Sequence, residues 1–444
     1  VYINTMNLQA SERVLCYAKS EYVEKYKKMT SWLSQIFPDL LEWKFVTFVN
    51  MCKWPHVENT KEIDPDSFAL DKIAGAYWKW DSNNIMMTRI YGVVFENKEG
   101  LKQYQLMMEE AKKRDHKILG KKLDLFSFSE YWPGFPFFHN NGMIIINELQ
   151  KYWRETHTRD WYEEIKTPIM LNKSLWEVSG HRWYYKENMY ISEIDEQEFA
   201  IKPMNCPWWM LVYKTTPKSY RDLPLKAWEF GQVHRHEMSG TLNGLFRVRT
   251  FTQDDAHIFC TKNQFKQEIK NVIDLIFEMY ACFGFEKVNI ELSTRPEKYV
   301  GEIADRDIAE ENLKNALAEK NISYQLNEWD GAFYGPKIDF KILDAIWREW
   351  QCGTIQLDFA LPKRFELEYV AEDGSKQTPI MLHRVVYGSL ERFFGILIEH
   401  FAGAFPLWLS PVQVKIIPVA DKFVWYADKV YEEMRKNWIR VNID

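Results

Sequence analysis

Chemistry-bearing side chains crowd one stretch of the sequence. Arg235 and Glu237 precede a return arm on which Arg247, Arg249, Phe251, Gln253, Asp255 and His257 occupy every second position. In an extended chain, alternate positions share a face. Two guanidiniums, an aromatic plate, an amide, a carboxylate and an imidazole make a poor hydrophobic core. They make a good floor for a charged ligand, because guanidinium forks match phosphate oxygens and a flat ring can stack on a base. The bland alternative is a solvated face knitted by salt bridges, and the density of mixed polar groups favours a site.

Two further sets gain meaning only beside this one. Cys206, His257 and His383 lie far apart in sequence, so their spacing carries almost no signal for a metal. Meeting in space, one sulfur and two imidazoles with a fourth position open would form a catalytic-type zinc site. Asp255, two residues from His257, could then bond a ligand held by the metal. Gly388-Ser389-Leu390-Glu391-Arg392 is ordinary for a surface helix. If Arg392 converged on the same phosphates as the hairpin arginines, it would spread developing negative charge.

The elements needed to position these groups are legible in outline. Two β-rich segments over 223–259 flank a polar loop with Ser239, Gly240, Asn243 and Gly244, which predicts a long antiparallel hairpin. Strands are expected at 45–49, 66–80 and 351–359, and another at 162–170 that Pro168 confines to an edge or an end. Helical spacing predicts helices over 99–122, 141–158 and 385–400. After Pro406 a strand (412–419), a helix (421–437) and a short strand (439–441) read as a parallel α/β domain cut short.

Composition bounds the class. The 444 residues are 46% hydrophobic and 27% charged, which excludes disordered and collagen-like chains and allows two to four domains at roughly 100–200 residues each. A net charge of −6 argues against coating nucleic acid by charge alone but leaves room for a local basic surface. No apolar run approaches the ~20 residues of a membrane span, so no membrane partner is expected. Six cysteines without a C-x-x-C pair predict neither a disulfide framework nor a zinc ribbon. The expected compartment is cytoplasmic, with an organellar form open.

The strings surrounding these residues resemble a known family. Arg235-x-Glu237, the hairpin and Gly388-x-x-Glu391-Arg392 are similar to motifs 2 and 3 of class II aminoacyl-tRNA synthetases, and the helix leading to Thr167-Pro168 is similar to motif 1. MNCP (204–207), KSYRDLPL (218–225), RVRTFTQDDAHIFC (247–260), LSTRPEK (292–298), GAFYGPKID (331–339), QCGTIQLDF (351–359) and LHRVVYGSLERF (382–393) resemble the threonyl-tRNA synthetase family in its own order. The resemblance implies an α+β class II core: an antiparallel sheet with flanking helices. It further implies a partial editing-like domain at 1–98, a linker helix at 99–125, the catalytic domain at 126–406 and the start of an anticodon-binding domain at 407–444.

It also implies roles. Arg235 would meet the ATP α-phosphate, Arg247 and Arg392 the β/γ end, Glu237 and Phe251 the base, and Gln351 would lie near ATP. Cys206, His257 and His383 would hold Zn²⁺; Asp255 would bond the threonine hydroxyl, while Met204, Gln253, Tyr334 and Gln356 shape the pocket. His181 would assist transfer to tRNA(Thr), and Cys52 with His56 would be an editing remnant. ATP with Mg²⁺, L-threonine and a second copy in a homodimer complete the expected partners.

Tryptophan departs from the family pattern. Trp54, Trp80 and Trp208 stand where the family has Gly, Trp209 where it has His, and Trp161 and Trp228 replace small residues. Indoles there should overpack the site by at least ~1–3 kcal/mol. With 19 Trp and 19 Gly in the chain, a tryptophan written where a small residue belongs is favoured over an altered variant. Two rivals remain: a synthetase-like binding module, opposed by the intact arginines and metal-type ligands, and a class II enzyme for another amino acid, opposed by Cys206, His257, His383 and Asp255.

Overall fold

The computed structural model describes residues 13–16, 48–51, 62, 64–77, 83–179, 186–294, 296, 302–328, 330–332 and 335–444. Cys52, His56, Trp54, Trp80, His181 and Tyr334 lie outside the described residues. The chain divides into two compact units, Val1–Glu109 and Glu110–Asp444. In the first, Arg13–Cys16 pairs antiparallel with Phe48–Met51, and Phe68–Tyr77 with Met86–Val94. Among the described residues, no helix is long and apolar enough to cross a membrane.

The expected continuous helix over 99–122 is two helices, α1 (Lys98–Arg114) and α2 (His116–Lys122). Asp115 makes the break: its backbone leaves the helical region at φ −47°, ψ 118°, and its carboxylate accepts the Lys117 N–H at 2.8 Å. An Asp oxygen that satisfies a free amide starts a new helix as readily as it interrupts an old one.

The second unit is built on one eight-stranded sheet. In chain order its strands are β1 (Glu163–Glu164), β2 (Leu225–His234), β3 (Thr250–Cys260), β4 (Val288–Ser293), β5 (Gln325–Asn327), β6 (Lys337–Leu343), β7 (Glu349–Asp358) and β8 (Ile380–Val385). In space they run β5-β4-β6-β7-β8-β3-β2-β1, antiparallel throughout except at the two edges. Pro168 behaves as its chemistry requires: only Glu163–Glu164 of the predicted 162–170 strand joins the sheet, at its edge. Met170–Asn172 pairs elsewhere, in a small three-stranded sheet.

Helix α3 (Asn140–Arg159) buries Ile145, Leu149 and Trp153, and helix α5 (Phe265–Cys282) buries Ile269, Val272, Ile273, Ile276, Met279 and Tyr280 in the same core cluster. That spacing turns one apolar stripe of each helix inward, and each fully buried aliphatic contributes about 1.5–3 kcal/mol before entropy is counted.

The predicted helix over 385–400 begins later, as α7 (Leu390–His400), counting α4 (Cys206–Lys214) and α6 (Ile303–Glu319) before it. Asp254 explains the delay. Its buried carboxylate accepts the N–H groups of Val386, Tyr387 and Gly388 at 2.7, 2.9 and 2.8 Å, so these donors are spent on β3 rather than on a helix. Gly388 then turns at φ +77° against the Cys352 carbonyl, where a Cβ would come within 2.7 Å, and Ser389 caps the helix. Beyond it, Val414–Ile416 and Val441–Ile443 pair in parallel around the helix Val424–Lys436.

Candidate active site

Cross-strand register assembles the first part of the site. In the antiparallel pair β3–β8, His257 lies opposite His383, and β7 brings Gln356 beside His383 from the other flank. Cys206 opens α4 with Pro207 behind it, a position where proline costs no hydrogen bond. The ligating atoms of Cys206, His257 and His383 all lie within 4.8 Å of one another, and all three residues are buried. His257 Nε2 is 3.0 Å from His383 Nδ1, while His383 Nε2 meets Asp358 Oδ2 at 3.0 Å. A carboxylate on the far nitrogen fixes the ring and raises the basicity of the near one, as in carboxylate–histidine–metal arrangements.

Burial sets the electrostatics of these ligands. Burial pushes the Cys206 thiol well above its ordinary range and the His257 imidazole well below its own, so this pocket disfavours a bare thiolate and a protonated His257 alike. A divalent ion reverses the first preference and suits the second. The donor set fits zinc, with three N/S ligands and one side facing a cleft.

That cleft, about 460 Å³, is lined by Met204, Cys206, Arg235, Gln253, Asp255, Gln356 and His383 among others. Asp255 is held by Asn205, whose Nδ2 donates to Oδ2 at 3.0 Å, and burial raises its carboxyl to about 6. Asn205 fits only because residue 231 is glycine: a Cβ there would stand 2.4 Å from the Asn205 amide. A smaller cavity of about 230 Å³, bordered by Glu302, Arg306, Lys363 and Arg364, contains none of the predicted residues.

The arginines form the other part. The Arg235 guanidinium lies 5.1 Å over the Phe251 ring, with its Nε donating to the Pro203 carbonyl at 3.2 Å. Arg247 forks onto Glu237 Oε2 at 3.0 and 2.8 Å. Arg392 donates from Nε to the Phe246 carbonyl at 3.0 Å. Burial weakens the hold of Arg392 on its proton, and the Arg235 and Arg247 charges push the same way, so the three cations are close enough to repel and to favour an anion among them. Arg249, which alternation places on the ligand face, is spent on the Glu237 and Pro133 carbonyls and Ser239 Oγ. Gln351 Nε2 donates to Asp339 Oδ1 at 2.7 Å and does not line the cleft.

Residues 187–401 match the model of the tRNA synthetase class II core domain (G, H, P, S and T). The chain is 57% identical over 397 residues to a threonine–tRNA ligase of Caldanaerobacter subterraneus subsp. tengcongensis and 56% identical to one of Finegoldia magna, in each case over 89% of this chain. The shares of those relatives covered are 61% and 62%. A solved structure titled as the RNA binding domain of threonyl-tRNA synthetase from Cryptosporidium parvum Iowa II superposes with a TM-score of 0.73 at 42% identity, covering 74% of this chain and 83% of that one. The chain belongs to the threonyl-tRNA synthetase family. A prolyl-tRNA synthetase from Giardia lamblia, at 15% identity and a TM-score of 0.58 over 76% of this chain and 65% of its own, shares the fold. The chain spans about three fifths of the length of its curated threonyl-tRNA synthetase relatives.

Within this family core, local sequence patterns do not single out Asn205, Asp358, Lys337 and Thr354. Asn205 and Asp358 orient Asp255 and His383, while Lys337 and Thr354 line the cleft. Alternation from Gln356 reaches Thr354 and Asp358 on the same face of β7, the one signal that could have found them.

Among the described residues, neither Trp208 nor Trp209 lines the cleft. Trp208 packs on Trp176 with centroids 5.0 Å apart and donates to the Pro168 carbonyl, and Trp209 leans on His257 at 4.7 Å with its Nε1 buried and unpartnered. Trp161, Trp347 and Trp438 sit at φ +61°, +65° and +61°, a backbone region that suits glycine and strains an indole-bearing residue.

Proposed function

We propose that this chain activates L-threonine with ATP and passes the threonyl group to the 3′ end of tRNA(Thr). The supporting observation is the convergence of Cys206, His257 and His383 beside Asp255 at one end of a cleft whose other members include Arg235. A zinc ion held by those three ligands would supply a Lewis-acidic position for the amino and β-hydroxyl groups of threonine.

The chain's own residues do the rest. Asp255, oriented by Asn205, accepts a hydrogen bond from the hydroxyl, and Met204, Gln253, Tyr334 and Gln356 shape the pocket. Arg235 meets the α-phosphate, Arg247 and Arg392 with Mg²⁺ take the β/γ end, and Glu237 and Phe251 serve the nucleoside; Gln351, held by Asp339 away from the cleft, is not assigned a contact. The threonine carboxylate attacks the α-phosphorus in line, and pyrophosphate leaves. A ribose hydroxyl of the tRNA end then attacks the adenylate carbonyl, forming the ester as the bond to the phosphate oxygen breaks and AMP leaves, with His181 assisting. Positioning and charge neutralisation carry the rate, and no enzyme nucleophile is needed.

Valine has the right shape but leaves the site's polar groups unpaired, so its rejection should reach ~10⁴-fold or more, while serine passes. We further assign 1–98 to an editing-like domain that carries Cys52 and His56, 99–125 to a linker and 126–406 to catalysis. Residues 407–444 are assigned to an anticodon-binding fold, and the second protomer joins through the 140–168 region. Threonine-dependent ATP–pyrophosphate exchange, with and without a zinc chelator, tests the reading. Exchange driven by threonine and lost on chelation is expected, with serine leaking through and valine silent; exchange driven by valine or proline, or none at all, would overturn it.

A further inference from the structure

Outside the cleft, one other group of ligating side chains draws together among the described residues: Asp115, His116 and Glu399. Hydrogen bonding already occupies it. His116 is buried, its Nδ1 lies 2.6 Å from Glu399 Oε1, and its Nε2 receives the backbone N–H of Leu245 at 3.0 Å. A backbone N–H can only donate, so Nε2 must be the bare nitrogen and Nδ1 must carry the proton given to Glu399. The imidazole is thus a neutral bridge with a fixed tautomer. Asp115 is spent capping α2.

The far end of that bridge is the return limb of the motif 2 loop. Gly244 turns at φ +49° directly above His116, where a Cβ would stand 2.1 Å from Nε2. The Phe246 ring rests on the imidazole with centroids 4.1 Å apart. The carbonyl of that same Phe246 receives Arg392 Nε at 3.0 Å, and the next residue is Arg247. Glu399 is steadied from its other oxygen by an ion pair with Arg348 at 2.5 Å.

We propose that His116 is a positioning residue for nucleotide binding: from the connecting segment it fixes the Gly244–Phe246 turn, and through that turn the guanidiniums of Arg392 and Arg247. The proposal rests on the phosphate role given above to those arginines and adds a residue that touches no substrate. Threonine selection, built on β3, β7 and β8, lies outside its reach.

Two substitutions separate the two bonds. His116→Asn keeps a donor for Glu399 and loses the acceptor for Leu245; His116→Gln keeps an acceptor near the Nε2 position. With one neutral hydrogen bond at stake, His116→Asn should raise the calorimetric Kd and the exchange KM for Mg-ATP about tenfold. The KM for threonine should stay within about twofold, and His116→Gln should lie within about threefold of the parent in ATP affinity. Gly244→Ala, pressing on Nε2 from the loop side, should reproduce the ATP-selective loss and serves if His116→Asn fails to fold. Unchanged ATP affinity in the folded variants, or equal loss of ATP and threonine affinity, would overturn the proposal. A parent that binds Mg-ATP without threonine-dependent exchange sinks only the activity reading, and the calorimetric comparison still judges His116. A parent that binds no Mg-ATP sinks both.

Discussion

The two parts of the candidate site are built by opposite means; of the three predicted phosphate-binding arginines, Arg235 lines the cleft and Arg247 and Arg392 lie outside its lining. At the sulfur–imidazole end, His257 and His383 stand on neighbouring strands in direct register, and Asp358 and Asn205 lock the rings and carboxylate around them. At the guanidinium end, Arg247 stands in a loop with about half its side chain exposed, paired to Glu237, and Arg392 hangs from a carbonyl of that loop. Groups on paired strands are placed by the sheet itself, whereas Arg392, in the first turn of α7, and Arg247, beyond the Gly244–Phe246 turn, depend on that turn for their placement. The part proposed to select threonine is built on strands in register, and the part proposed to meet the phosphates on a loop and a helix start.

The sharpest test of that contrast removes one ligand from the strand-built part. Cys206→Ala should abolish stoichiometric zinc, measured by plasma mass spectrometry, and lower threonine-dependent exchange by ~10³-fold or more, because the polar pocket is then left unpaired. Retention of tightly bound zinc would break the comparison. In the arginine part, Arg392→Ala should cost ~10²–10³ in kcat of exchange. Arg247→Ala, more exposed and already paired, should cost about tenfold and show the steeper salt dependence.

Stability against pH probes the junction between the two parts. Glu391, which accepts the Thr252 N–H at 2.8 Å, is raised to about 7 by burial from an ordinary 4.5. Between those values the folded chain holds at Glu391 a proton that the unfolded chain has released, so this residue's contribution to stability is fully present below about 4.5 and is lost as pH rises towards 7. Melting temperatures at pH 5 and 7.5 should therefore differ more in the parent than in Glu391→Gln; equal differences would remove this residue from the account.

The smallest expected effect serves as a control. Trp161→Gly and Trp347→Gly, at exposed positions with φ +61° and +65°, should each stabilise the fold by about 1 kcal/mol in denaturant titration by relieving left-handed backbone strain. Neither should change exchange kinetics.

Much of the site is legible in the residues themselves. Alternation along the return arm puts Gln253, Asp255 and His257 together, and composition excludes whole classes of protein. Local pattern misjudges the places where a distant group claims a backbone donor or a side chain. Asp254 takes the amides that would have started α7 early, Asp115 cuts the connecting helix, and Arg249 goes to carbonyls instead of ligand.

By itself the sequence determined which residues could bind phosphate or metal, and the family strings in which they lie, because side-chain chemistry and short-range periodicity are local. Only the tertiary structure decided that Cys206, His257 and His383 meet, that Asn205 and Asp358 aim their neighbours, and that His116 reaches the motif 2 loop. Those meetings depend on strand register and on packing between segments remote from one another in the chain, at separations where no local pattern carries information.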